Sequence, residues 1–109
     1  MKFERKDARV TVAFLKCVRG DWRNRPFNAN VAARAIKEGK GWRVDRADAV
    51  AGTWTPWEPI TTETYPTLAA AKKAIREFNT ICRLPLGSPE RKRYVGFSGS
   101  RKRRRKRRR

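Results

Sequence analysis

The sequence predicts an α+β domain: a small antiparallel β-sheet of about three strands packed against one long C-terminal helix, with a short extra helix and a disordered basic tail. Three observations carry this. β-Branched and apolar residues alternate over residues 9–18, an apolar stripe with helical spacing runs over Leu68–Cys82, and nine consecutive cations close the chain. Residues 1–86 then form the compact basic domain, and residues 87–109 form a Gly/Ser/Pro linker and an Arg/Lys-rich tail.

Residues 1–7 are mostly charged and read as a frayed lead-in. In the segment 9–18, Val10, Val12, Phe14 and Val18 fall on one face and Thr11, Ala13, Leu15 and Cys17 on the other. That pattern makes a strand with both faces at least partly covered. Turn chemistry crowds residues 20–28, where Gly20, Asp21, Asn24, Pro26 and Asn28 surround Trp22 and Phe27. Asn30 then caps a short helix over residues 31–38, because Ala32, Ala33 and Ala35 favour helix and Gly39 suits its C-terminal end. So short a helix depends on packing through Val31, Ala35 and Ile36.

Residues 41–46 read as a second strand, with Trp42 and Val44 on one face and Arg43 and Asp45 on the other. A third extended segment over residues 53–62 carries Pro56 and Pro59. Proline cannot donate to a ladder, so this segment is an edge strand or a partly polyproline-type stretch, and pairing with 41–46 as a hairpin is expected. Of Trp54 and Trp57, at least one is expected to pack on the long helix, since a small domain needs large residues for its core. The helix itself opens on Thr67 as N-cap, with Leu68, Ala71, Ile75, Phe78 and Cys82 forming the stripe. Pro85, Gly87 and Pro89 end it.

Charge decides the function classes. The chain has 29 Lys plus Arg against 10 Asp plus Glu, no histidine, and a formal net charge of +19 over 109 residues. Without histidine there is no Ser/His/Asp triad, no Cys/His pair and no His-ligated metal. No catalytic residue, cofactor or metal is expected. A His-free ribonuclease using Arg, Lys, Tyr or Glu shares this size and charge, but no motif supports it. Cys17 and Cys82 lack metal-ligand spacing and read as small buried apolar residues in a reducing compartment, with a disulfide as the alternative. No apolar run is long enough for a membrane span. A cytoplasmic protein associated with nucleic acid, of bacterial or phage type, is expected.

The polycationic run Arg101, Lys102, Arg103, Arg104, Arg105, Lys106, Arg107, Arg108 and Arg109 is the most specific signal. Nine adjacent cations repel one another and bury nothing, so they order only on a polyanion. Arginine forks match phosphate oxygens, which points to DNA or RNA. Arg91, Lys92 and Arg93 form a second basic cluster. A third candidate contact is the loop with Arg19, Trp22, Arg23 and Arg25, where an exposed indole among guanidiniums suits an unpaired base. Residues 1–100 retain 20 cations against 10 acids, so the body is basic without the tail.

Two partner classes follow: a nucleic acid, gripped largely without sequence choice, or an acidic host protein or ribonucleoprotein such as a nuclease, polymerase or ribosome. Residues 42–78, with an aromatic strand, a polar turn and a helix opening on TYPTLAAAKKAI, resemble the sheet-then-helix N-terminal arm domains of phage integrases. That resemblance implies a three-stranded sheet that holds DNA. It assigns no role to individual residues.

Overall fold

A computed structural model of the chain describes residues 1–20 and 25–93; the side chains of Lys92 and Arg93 are outside the description. The expected three-strand sheet is overturned. The chain forms a curled antiparallel sheet of five to six strands with one 15-residue helix. The strands are β1 (Phe3–Asp7), β2 (Val10–Arg19), β3 (Phe27–Glu38), β4 (Gly41–Val50), β5 (Thr53–Trp54) and β6 (Glu58–Pro59), followed by α1 (Leu68–Cys82) and α2 (Pro89–Arg93). They lie in sequence order from β1 to β5, and β6 also pairs with β4.

Two elements differ most from expectation. Residues 1–7 are not a frayed lead-in: Phe3, Glu4 and Arg5 pair with Ala13, Val12 and Thr11, and Phe3 reaches the core. Residues 31–38 are not a helix but most of β3, the central strand, whose pairing with β2 runs unbroken from Val10↔Ile36 to Arg19↔Phe27. Alanine favours helix by a fraction of a kcal/mol per residue, a preference that tertiary pairing overrides. Here the alanines serve packing, since Val31, Ala33 and Ala35 lie fully buried beneath α1 and their small side chains let the helix come close. Gly39 is no helix cap. It has φ +60° in the two-residue turn between the paired Glu38 and Gly41, a value glycine adopts without strain.

The turn from β4 to β5 places both Ala51 (φ 51°) and Gly52 (φ 84°) in the left-handed region, as tight hairpins of primed type require. The chain then returns along β4 in short contacts: Ala49 faces Trp54, Asp45 faces Pro59, and Trp42 and Tyr65 exchange two 2.8 Å backbone hydrogen bonds. The proline-punctuated segment is therefore an edge paired to β4, broken between β5 and β6, where Pro56 withholds a donor.

The helix matches its sequence stripe. Thr67 Oγ1 accepts from the Ala70 amide at 3.1 Å, and Ala71, Ala74, Ile75, Phe78 and Cys82 are buried. Together with Leu15, Val31, Val44 and Ile60 they build the core. Each large apolar side chain so buried contributes about 1.5–3 kcal/mol. Cys17 and Cys82 are not separate thiols: their Cα atoms stand 4.8 Å apart and they are joined as a disulfide tying β2 to the end of α1. Among the described residues, no helix is long and apolar enough to cross a membrane.

Candidate nucleic-acid interface

Strand alternation divides the sheet into two unlike faces. Thr11, Ala13, Leu15 and Cys17 of β2 turn toward α1 with Val31, Ala33, Ala35 and Val44. Among the described residues no helix covers the other face, which carries Val12, Phe14 and Lys16 of β2, Ala32 and Arg34 of β3, and Arg43, Asp45 and Ala47 of β4. Trp54 and Trp57 join this open face. The expectation that one of them packs on the long helix is therefore corrected: β4 turns back so that both line the side away from α1.

There they form a trough of about 330 Å³ with Lys6, Val12, Phe14, Ala32, Ala47 and Thr55. Its floor is closed and its walls stand in solvent. Val12, Ala32 and Ala47 are 8%, 4% and 4% exposed, against 55% for Phe14, 51% for Trp54 and 38% for Trp57. The Phe14 and Trp54 rings are 6.2 Å apart between centroids and inclined at 51°, a favourable tilted contact. Large apolar rings grouped in the open on one face are more informative than apolar residues scattered singly.

A buried carboxylate organises the cations at one side. Asp45, only 2% exposed, accepts from Arg34 Nε at 2.9 Å and from Arg43 Nε at 3.1 Å. The Arg34 guanidinium lies over the Trp57 ring, 4.5 Å from its centroid, so one plane is held by an ion pair on its edge and an indole on its face. The bond to Asp45 raises the Arg43 pKa above the ordinary arginine value, with desolvation opposing. Lys16 follows Phe14 on the same face, donates to Asn30 Oδ1 at 3.0 Å, and lines a second hollow with Val18, Asn28 and Arg83. Lys6 is at the trough's other side, paired with Glu4 at 3.2 Å.

The residues singled out from sequence are placed differently. Arg19 donates to both oxygens of Asp48, at 3.1 and 3.2 Å, on the helix-facing side. Arg25 is exposed just before β3. Arg91 is not an exposed phosphate contact. Its guanidinium is buried and donates to the carbonyls of Cys82, Leu84 and Val18, clamping α2 to the end of α1 and to β2. Burial, and then the charges of Arg19 and Arg46, pull its pKa below the usual arginine value. Burial likewise lowers Arg46, against the attraction of Asp48. Trp22, Arg23, the side chains of Lys92 and Arg93, and the run 101–109 lie outside the described residues.

No family model matches this chain, and no curated protein or solved structure matches it. Phe14, Arg34 and Lys16 do not stand out in the sequence, because residues 31–38 read as helix there. Only β2–β3–β4 pairing brings Phe14, Ala32, Ala47 and Trp54 onto one surface. The alternation of Phe14 and Lys16 in β2 was the available signal.

Proposed function

We propose that this protein binds nucleic acid, DNA or RNA, as an accessory factor that does no chemistry on it and is found where nucleic acid is. The observation that carries the reading is the open sheet face, where three exposed aromatic rings stand among Lys6, Lys16 and Arg34 in a chain of net charge +19. Cations supply a salt-dependent attraction to phosphate, and aromatic faces supply a surface that every base can meet. The cationic run 101–109 adds grip without sequence choice. If about six of its nine cations engage duplex phosphates, they contribute roughly −5 to the slope of log affinity against log salt.

Titration of a labelled nucleic acid at several salt concentrations, with the full chain and with a chain stopped at Ser100, tests this. A steep slope that becomes shallower, without vanishing, on removing the run supports it. A slope near zero, or a truncation that leaves affinity untouched, refutes it.

A further inference from the structure

We infer that the trough walled by Phe14, Trp54 and Trp57 seats unpaired bases, so that the protein prefers single-stranded to double-stranded nucleic acid; this rests on the nucleic-acid reading above. The floor of Val12, Ala32 and Ala47 carries nothing larger than a valine side chain, so the three rings rise above a shallow apolar surface. A flat apolar group can lie against them without displacing a side chain. In a duplex the base faces are already stacked on one another, and only edges and phosphates are offered. A single strand presents both a base face and the phosphate next to it.

The charges around the trough match that occupant. Arg34 spends Nε on Asp45 and stacks its plane on Trp57, which leaves its two terminal nitrogens for a phosphate beside the stacked base. Lys16 stands at the Phe14 end, and Lys6 is shared with Glu4. A second copy of the chain would bring the same cations against these and be repelled. An acidic peptide would satisfy the charges but offer few flat apolar faces to the rings.

The test is fluorescence anisotropy with a labelled oligothymidylate and with a duplex of equal phosphate number, at matched salt. Stacking one base is worth about ten- to a hundredfold in affinity, so the single strand is expected to bind at least about tenfold tighter than the duplex. The variant Phe14→Ala/Trp54→Ala is expected to lose most of that factor on oligothymidylate, while duplex affinity and salt slope stay within about twofold. Phe14→Tyr/Trp54→Phe, which keeps flat rings, is expected to retain it. If the double alanine variant melts early, Ala47→Leu fills the floor without removing a ring and is expected to give the same selective loss. Equal affinity of the unaltered protein for both forms overturns the inference, as does a double alanine or Ala47→Leu variant that is folded and keeps full single-strand affinity. Salt-dependent duplex binding with no single-strand preference removes the trough assignment alone. Absence of salt-dependent binding to either form removes the nucleic-acid reading, and this inference with it.

Discussion

Replacing Arg91 by alanine should destabilise the fold without changing how the protein grips a polyanion. The guanidinium makes three hydrogen bonds to main-chain carbonyls, two at the end of α1 (Cys82 and Leu84) and one in the distant strand β2 (Val18). A hydrogen bond to a charged group contributes about 1.5–3 kcal/mol in net terms, with ordinary dehydration of the donor already included. The penalty here exceeds the ordinary one, since burial and two neighbouring guanidiniums both act against the Arg91 charge. That excess cancels several kcal/mol of the summed gain. Truncation also strands the buried Cys82 carbonyl, whereas the Leu84 carbonyl is only partly buried and can take up water. The net loss is about 2–4 kcal/mol.

For a domain of this size, such a loss lowers Tm by roughly 10–25 °C. Differential scanning calorimetry of the unaltered chain, Arg91→Ala and Arg91→Lys gives the answer. Lysine keeps a charge but lacks the planar fork that spans three carbonyls, so it should fall between the other two. A change below about 3 °C for Arg91→Ala would refute the clamp, since it corresponds to less than about 1 kcal/mol. A salt slope that falls by about one on the same substitution would instead return Arg91 to the phosphate-binding surface.

Three further outcomes are expected. Reducing the Cys17–Cys82 bridge, which closes a 65-residue separation, should lower stability by about 4 kcal/mol on the loop-entropy argument; chemical denaturation with and without reductant measures it, and equal midpoints would contradict the bridge. Phe78→Ala, which empties a fully buried ring from beneath the sheet, should cost about 3–5 kcal/mol in the same assay. With no histidine in the chain and the grip assigned to Arg and Lys, nucleic-acid affinity should change by less than about threefold between pH 6 and pH 9, measured by anisotropy at fixed salt.

What the sequence disclosed and what it hid follow from how far apart the deciding residues lie. The α1 stripe from Leu68 to Cys82 and its Thr67 cap are local, and the helix forms over those residues. The alternation of β2 is local too. The segment 31–38 reads as helix because Ala32, Ala33 and Ala35 carry no side-chain preference strong enough to oppose it, and only pairing to β4 along the whole segment and to β2 as far as Ile36 decides for strand. The sequence places at least one of Trp54 and Trp57 against the helix, in a core that Phe78, Ile75 and Ile60 already fill. Nothing in sequence spacing joins Cys17 to Cys82 or directs Arg91 to the Val18 carbonyl, since both depend on where α1 ends relative to β2. The trough inherits this limit: its aromatics are plain in the sequence, but their shared surface exists only once β3 is a strand.

The two borders of the sheet bear on life in a crowd. Along one, β1 reads Phe-Glu-Arg-Lys-Asp with its last four residues exposed, and its pairing ends at Ala13, beyond which the Val18 carbonyl is held by Arg91. Along the other, β5 and β6 are two residues each and are separated by Pro56. Short, charged or proline-broken borders offer no clean row of amides to a neighbour. Many copies gathered on one polyanion would have their mutual repulsion neutralised, the condition under which open sheets zip into fibres. If the proposed grip on nucleic acid holds, the borders, and not the net charge, would keep neighbouring copies separate once the charge is neutralised by phosphate.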